Sequence, residues 1–197
     1  MKKVLTITFI TILTVIFFGL QQKVYAEMVQ TQDNPYSYYE EFDFEQIELG
    51  YQHSSAITSE GKIFTWGANY MGQLGDDTNI RKLIPTEITA NFSLNSGEVI
   101  TDISLGDFTS SAMTNEGRVF TWGDNDYGQL GDGTTMDKKL PVDITANFSL
   151  NSGEVITDIS FGAMHSSAIS SDGRVFTWGY NSDGQLGDGT NNNKNLP

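Results

Sequence analysis

The sequence has no cysteine and few basic residues. The absence of cysteine excludes disulfides, thiolate nucleophiles and zinc–thiolate sites, so packing alone must hold the fold together. The 11 lysines and arginines are outnumbered by 25 aspartates and glutamates, and the net charge is −14. Nucleic-acid binding needs clustered lysine and arginine. The chain is therefore predicted to bind no nucleic acid, and its acidity favours a basic partner or a cation.

The sequence also lacks a segment of helical period after residue 43, and its one long hydrophobic run lies at the N-terminus. Lys2 and Lys3 precede the run 4–20, and Val24-Tyr25-Ala26 is typical of a cleavage site. This layout predicts a signal peptide over 1–26, a secreted or surface-exposed product and no membrane association after cleavage. The alternative is an uncleaved membrane anchor, because a run of 17 residues is near the lower limit for spanning. Residues 27–43 are acidic and polar, which indicates an exposed linker.

A repeat dominates the rest of the chain. The pattern W-G-x-N-x-x-G-Q-L-G-D recurs every 56 residues, beginning at Trp66, Trp122 and Trp178. A fixed period of this size is the signature of a repeat architecture. The repeat units are about 44–98, 99–154 and 155–197. The last unit is truncated, because Pro197 is the counterpart of Pro85 and Pro141, which are followed by further residues of their units.

The sequence of each unit predicts four short strands. In the second unit, alternating residues at 99–105 indicate a first strand and small residues at 110–114 a second. The turn Asn115-Glu116-Gly117 leads into a third strand at 118–122. An outer strand is expected to begin at Pro141, since proline is tolerated at the start of an edge strand. The middle strands are small or apolar on both faces, as in strands sandwiched between propeller blades, so the predicted fold is all-β with four-stranded blades.

These segments resemble the repeats of the regulator of chromosome condensation family. The resemblance rests on G-x-x-H-S-S-A-I at 50–57 and 162–169, the F-T-W-G strands and the N-x-x-G-Q-L-G-D loops, and it covers 44–197. It implies a β-propeller, typically of seven blades. Seven repeats of this length would need about twice this chain. We therefore expect an incomplete propeller of about three blades, whose open edges make self-association an alternative.

The positions that all three copies share are expected to be scaffold, with tryptophan packing blades together, glycine allowing positive φ and glutamine anchoring the turn. These structural repeat residues are Trp66, Gly67, Gly72, Gln73, Gly75, Trp122, Gly123, Gly128, Gln129, Gly131, Trp178, Gly179, Gly184, Gln185 and Gly187. Binding is expected in loops that vary between copies. The candidate binding residues in these loops are Asn69, Tyr70, Asp124, Asp126, Tyr127, Tyr180 and Asp183.

No catalytic, cofactor or metal site is predicted. His53 and His165 share a repeat position that holds Thr109 in the middle copy, which favours structural histidines over a catalytic pair. The glycine-rich runs lack the lysine and serine of a P-loop and any following helix. The acidic stretch 124–126 suggests calcium, but its spacing does not match an EF-hand. Asp132, which recurs in the other copies, is expected to cap a turn.

The sequence therefore favours a non-catalytic protein-interaction module whose protein partner it does not identify. The family's founding member is a nucleotide-exchange factor for a small Ras-like GTPase and also binds chromatin, and many relatives are interaction modules. Nucleotide exchange is thus an alternative, although export argues against it. A third hypothesis is an accessory domain of a larger surface enzyme, which needs a catalytic segment beyond Pro197.

Overall fold

Eleven strands run through residues 42–197, the part of the chain that the computed structural model describes. The predicted signal peptide and nearly all of the predicted linker lie outside the described residues. The strands are β1 (Phe44–Leu49), β2 (His53–Thr58), β3 (Ile63–Gly67), β4 (Lys82–Glu87), β5 (Ile100–Leu105), β6 (Thr109–Thr114), β7 (Val119–Gly123), β8 (Lys138–Asp143), β9 (Ile156–Phe161), β10 (His165–Ser170) and β11 (Val175–Gly179). Short 3-10 turns at Thr89–Asn91 and Thr145–Asn147 follow β4 and β8. Within the described residues, no helix is long and apolar enough to cross a bilayer.

The strands form three antiparallel sheets, each made of strands that are consecutive in the chain. Blade 1 contains β1 to β4, blade 2 contains β5 to β8, and blade 3 contains β9 to β11. Among residues 42–197, three strands form blade 3, and Lys194 bridges Gly179 as Lys138 bridges Gly123 in blade 2. The predicted all-β class, with about three blades, is confirmed.

The two middle strands of each blade pair small residues with aromatic ones. In blade 2, Ser110 lies opposite Trp122 and Ala112 lies opposite Phe120. Such pairs fill one face without crowding it, because a small side chain leaves room for the ring across the strand. The hairpin between β6 and β7 closes at Gly117, whose φ of +74° is open to glycine at no steric cost.

The outer strand of blade 2 differs from its prediction. It begins at Lys138 rather than Pro141, and Pro141 lies inside it. The reason is a bulge, because three residues of β8, including Pro141, face Trp122 alone between the Gly123–Lys138 and Thr121–Val142 pairs. A bulged edge strand tolerates proline there, since the ladder needs no N–H at that point.

The core lies between blades. Between blades 1 and 2, Phe92 reaches over from the end of blade 1 and packs edge-on against Phe120 and Trp122, with ring centroids 5.2 and 5.5 Å away. Phe148 repeats this contact with blade 3. Buried aliphatic residues of both blades complete each cluster. Each blade therefore depends on its neighbour to bury its face, as expected of a repeat protein.

Candidate functional site

The variable loops lie together at one end of the blades, which we call the loop end. It carries the long loops 68–81, 124–137 and 180–193 and the short turns between the first two strands of each blade. Backbone bonds join the two sets, as in Asp124 N–H to the Phe108 carbonyl at 3.0 Å. The loop end is therefore a continuous surface built on the strands of all three blades.

Each long loop is folded around a buried asparagine. Asn125 donates its amide to the Asp132 carboxylate at 3.0 Å and to the carbonyls of Thr134 and Met136, and it accepts the Leu130 N–H at 3.0 Å. Asn69 makes the same set of bonds and is fully buried. Its prediction as a binding residue is wrong, because every polar atom of its side chain is used to shape the loop.

The aspartate that ends each repeat motif caps a turn, as expected. Asp132 accepts bonds from the backbone N–H and hydroxyl of Thr134, at 2.9 and 2.7 Å, and pairs with Lys138 at 3.1 Å. Asp188 is bound in the same way, and the bonds from Thr190 lower its pKa to about 2. These charges are neutralised within the scaffold, so they contribute little to recognition at the loop end.

The shared tryptophan and glutamine join neighbouring blades. The backbone carbonyl of Gln73 in blade 1 accepts bonds from Trp122 Nε1 at 2.9 Å and Ser110 Oγ at 2.8 Å, both from blade 2. Gln129 accepts the equivalent pair from blade 3, and Trp122 and Trp178 are fully buried. Trp66 is only partly buried. The glutamine side chain holds its own loop, since Oε1 of Gln73 accepts the Met71 N–H, and Gln185 does the same for Asp183.

Positive φ is a structural requirement at the shared glycines. Gly131 has a φ of +73°, and a Cβ there would lie 2.7 Å from Trp178 Nε1, so any side chain would push the next blade away. The other shared glycines that have positive φ are Gly67, Gly72, Gly75, Gly123, Gly128, Gly179, Gly184 and Gly187.

The remaining candidate binding residues differ in accessibility. Tyr70, Asp126 and Asp183 are exposed. Tyr127 and Tyr180 are half-buried and stack edge-on, with centroids 4.8 Å apart, although they belong to different blades. Beside Tyr127 lies a shallow cavity of about 240 Å³, also lined by Asp126, Thr135, Asn193 and Asn195.

The prediction of Asp124 as a binding residue needs a partial correction, because its side chain is mostly buried rather than exposed to solvent. Its carboxylate accepts the Asp126 N–H, and its oxygens lie within 4.8 Å of those of Asp126 and Asp137. Burial and the charges of Asp137 and Asp126 raise the pKa of Asp124. Three carboxylates at this spacing can attract a hard cation, but calcium prefers six to eight oxygens.

Sequence reasoning missed two groups at the loop end. Tyr51 and Phe108, from the short turns of blades 1 and 2, stack edge-on at 5.8 Å. Asp137 joins the acidic cluster of Asp124 and Asp126 across the loop. The signal for Tyr51 was available, because an apolar ring in a turn between polar residues has no core to fill. Asp137 gave no such signal, since only the folded loop brings it near Asp124.

His53 lies inside the interface between blades 1 and 2. Ser110 donates its hydroxyl proton to Gln73, so His53 Nε2 donates to Ser110 Oγ, at 2.9 Å. Burial lowers the pKa of His53 to about 4, and the Thr109 backbone opposes this shift. A buried, neutral histidine bridging two blades is the structural role that the sequence favoured.

Comparisons with known proteins extend these observations. The family model described as "Regulator of chromosome condensation (RCC1) repeat" matches residues 60–113, 116–169 and 172–197, and a second model of the same description matches 44–73 and 100–129. The chain is 37% identical over 155 residues to the human "Probable E3 ubiquitin-protein ligase HERC4". The aligned region covers 78% of this chain and 14% of that protein. It is 31% identical over 153 residues to the Arabidopsis thaliana "Ultraviolet-B receptor UVR8", with 78% and 33% covered.

Solved structures of other proteins have the same fold as this chain. Human WBSCR16 superposes with a TM-score of 0.68 at 26% identity, over 80% of this chain and 39% of that one. Yeast RCC1 (Prp20) in its complex with Kap60 gives 0.64 at 22% identity, over 79% and 36%. This chain therefore spans well under half the length of each of these proteins. With its repeats matched from end to end of the described residues and its blades superposing on these propellers, the chain belongs to the regulator of chromosome condensation (RCC1) repeat family and folds as an incomplete β-propeller.

Proposed function

We propose that this protein is an exported, non-catalytic interaction module that binds a basic protein surface at its loop end. The observation that carries the proposal is the contrast within the long loops. Their shared residues are buried and bonded to one another, whereas the residues that differ between copies, such as Tyr70, Asp126 and Asp183, are exposed. Loops on a rigid repeated scaffold are where such proteins place their binding residues.

The chemistry of the loop end supports a basic partner. The tyrosine pair Tyr127–Tyr180 offers large, rigid contact area with polar tips, which is typical of binding hot spots. The loop aspartates that all three copies share are neutralised by lysines, but Asp126, Asp137 and Asp183 have no ion pair within the described residues. A partner rich in lysine, arginine and aromatic side chains would complement both features.

Export is the second part of the proposal, and it is supported by the signal-like sequence 1–26. It can be tested by expressing the full chain and sequencing the N-terminus of the extracellular protein. A mature protein beginning at Glu27 is expected. Recovery of the intact N-terminus from the cytoplasm would contradict export without affecting the binding surface.

The binding surface can be tested with a displayed library of random peptides as the probe. We expect the selected peptides to be enriched in arginine, lysine and aromatic residues, and their affinity to fall with added salt. The double variant Y127A/Y180A should weaken their binding by more than about tenfold, since aromatic anchors contribute 2 kcal/mol or more.

The matched control is L83A/L140A, which removes two exposed apolar side chains from the outer strands of blades 1 and 2. It should leave peptide binding unchanged. Equal binding by Y127A/Y180A and the native protein, or selection of acidic peptides, would overturn the assignment of the site. Thermal melting of all variants separates lost contacts from lost folding.

The activities of the relatives belong to proteins that are longer than this chain or share only its fold. Human HERC4 is a probable E3 ubiquitin-protein ligase, but this chain spans 14% of its length. The yeast protein shares the fold at 22% identity, which supports no transfer of its activity.

A further inference from the structure

The cavity of about 240 Å³ at the loop end lies where blades 2 and 3 meet. Five polar or aromatic residues from the two blades line it: Asp126, Tyr127, Thr135, Asn193 and Asn195. Two hydrogen bonds of 2.8 Å hold its two sides together, because Gly133 N–H donates to the Asn195 carbonyl and Asn195 Nδ2 donates to the Gly133 carbonyl. The cavity is therefore a formed feature of the joint between two packed blades.

The polar atoms that the walls leave free are mostly hydrogen-bond acceptors. Asn195 uses its Nδ2 within the joint, so its Oδ1 is free to accept. The Asp126 carboxylate has no ion pair and the Thr135 hydroxyl has no partner within residues 42–197. Asn193 Oδ1 accepts the Asn181 N–H at 2.9 Å, so its Nδ2 is left to donate. A ligand that offers several N–H donors fits these walls.

The loop of blade 2 differs from its copies at this place. In blade 1, Asn79 donates its side-chain amide to the Tyr70 carbonyl at 2.8 Å, and blade 3 repeats this bond. In blade 2 the position of Asn79 is Thr135, which makes no such bond to the Asp126 carbonyl. The backbone of Asp126 therefore adds a further acceptor beside the cavity.

The charges around the cavity favour a cation. The carboxylate oxygens of Asp126 lie within 4.8 Å of those of Asp124 and Asp137. Burial and these neighbours raise the pKa of Asp124, so a positive charge beside Asp126 would relieve the repulsion. Lys194, which lies between the two lining asparagines in sequence, is paired with Asp188 at 3.3 Å.

The joint between blades 1 and 2 carries a lysine at one of the lining positions. The position of Asn195 is Lys139 in the preceding repeat. The backbone has the same arrangement at both joints, since a Cβ on Gly72 would meet Lys139 as a Cβ on Gly128 would meet Asn195. The joint between blades 2 and 3 thus leaves to a ligand the positive charge that the other joint supplies itself.

From these features we infer that the cavity is a recognition pocket for one arginine side chain of a protein partner. A guanidinium presents five N–H donors in a planar fork, which suits a carboxylate with neighbouring amide and hydroxyl oxygens better than an ammonium does. The ring of Tyr127, held by its contact with Tyr180, offers an aromatic surface for the planar group. Asn193 Nδ2 is placed to donate to a peptide carbonyl beside the arginine. The inference rests on the proposed function, because it names one side chain of the basic partner.

The test uses the full 197-residue protein at low salt and the capped tripeptide Ac-Gly-Arg-Gly-NH2 as the probe. Heteronuclear NMR titration should show saturable shifts of the side-chain amides of Asn193 and Asn195. The lysine analogue and the neutral citrulline analogue should each bind at least about tenfold more weakly, because the first lacks the planar fork and the second lacks the charge.

Two protein variants should weaken binding of the arginine probe by more than about tenfold, as expected when a hydrogen bond to a charged group is lost. D126N changes an exposed side chain, so the fold should persist. N195K installs the lysine of the preceding repeat and should fill the pocket with its own charge. The matched control is D77N, which removes the same charge from an exposed loop residue of blade 1 outside the cavity. Asparagine tolerates the φ of +61° at this position.

Absence of shifts at Asn193 and Asn195, equal binding of the citrulline peptide, or undiminished binding by N195K would overturn the inference. Equal binding of the lysine peptide would show a site for any cation and would overturn the assignment to arginine. Free L-arginine should bind more weakly than the capped peptide, since it offers no flanking peptide carbonyl to Asn193. Tighter binding of the free amino acid would identify a small molecule as the ligand and would overturn the assignment to a protein partner.

The pocket and the wider loop-end surface can fail separately. If the library-selected peptides bind D126N and N195K as tightly as the native protein, the interaction surface stands and the arginine pocket is refuted. If the arginine probe binds as expected but the library yields acidic peptides, the pocket stands and the basic partner surface is refuted.

Discussion

A single buried histidine makes the interface between blades 1 and 2 sensitive to acid. The folded-state pKa of His53 is about 4, below its ordinary value of 6.5. The unfolded chain therefore takes up the proton first, and stability is complete above about pH 6.5 and falls as the pH drops toward 4. The loss attributable to His53 should be about 2 kcal/mol at pH 5.

Urea unfolding at pH 7 and pH 5 measures this loss. The variant H53T, which installs the residue that blade 2 has at this position, should lose about 2 kcal/mol less stability than the native protein over the same range. Carboxylates that titrate in this range affect both proteins equally. An identical pH dependence of the two proteins would show that His53 is neither buried nor neutral in solution.

Asp124 is the other residue whose environment opposes its charge. Its pKa is raised by burial and by the neighbouring carboxylates of Asp137 and Asp126. Because the folded state favours the protonated acid, ionisation costs stability at neutral pH, and the cost disappears as the pH falls below the ordinary value. D124N should therefore raise the Tm by about 1–3 °C at pH 7 and by nothing at pH 3.

Differential scanning calorimetry in the presence of EDTA measures the change. D126N is the matched control, since Asp126 is exposed and its removal should alter the Tm by less. A lower Tm for D124N when calcium replaces EDTA, with a calcium-dependent rise in the native protein, would mean that the three carboxylates hold a cation rather than repel one another.

At the scale of elements, one backbone carbonyl of blade 1 accepts two hydrogen bonds from blade 2. Gln73 O accepts from Trp122 Nε1 and Ser110 Oγ in a fully buried site. W122F and S110A each remove one donor to Gln73 O and should each cost about 1 kcal/mol, and S110A costs more because it also removes the acceptor of His53 Nε2. The double variant leaves the carbonyl without a donor among the described residues, so its cost should exceed the sum by about 1 kcal/mol.

Chemical denaturation of the four proteins in this cycle measures the coupling. The equivalent cycle in the next interface, W178F with S166A on Gln129 O, has the same two donors, but Thr109 stands there in place of His53. The loss of the His53 acceptor occurs in both S110A proteins and cancels from the coupling, so the two cycles should agree within error. Additive effects in both cycles would show that water or a relaxed backbone satisfies the carbonyl, and that ring packing alone joins the blades.

The sequence predicts the bounds of a strand well where the side-chain pattern defines the strand. It predicts them poorly where the strand forms only by pairing with a neighbouring strand. The alternation and small residues of β5 and β6 set those strands within a residue of their observed bounds. The first half of β8 carries no period, because Lys138 and Lys139 lie on an exposed edge and become a strand only by pairing with β7. Its start was therefore misplaced at Pro141.

At the loop end, too, contacts within one repeat were easier to predict than contacts between repeats. Asn69 recurs as Asn125 and Asn181, and that invariance was already a sign of scaffold rather than of binding. The stacking of Tyr127 on Tyr180 could not be predicted, since it depends on how closely two blades approach. Contacts within a repeat follow from its period, whereas contacts between repeats require the fold.

Among the described blades, only blade 2 is packed against a neighbouring blade on both sides. Blade 2 contributes to both hydrophobic clusters, and its strands β6 and β7 are almost wholly buried. Blade 3 shares one cluster, and Val175 and Ile169 at its other face are exposed. Because repeat proteins gain stability from nearest-neighbour interfaces, opening should begin at blade 3 and reach blade 2 last.

Native-state hydrogen exchange followed by mass spectrometry resolves this order. Amides of β6 and β7 should exchange only with global unfolding, and those of β10 and β11 should exchange at least about tenfold faster, a difference of 1.4 kcal/mol in opening free energy. Uniform protection of blades 2 and 3 would mean that the described blades unfold as one unit.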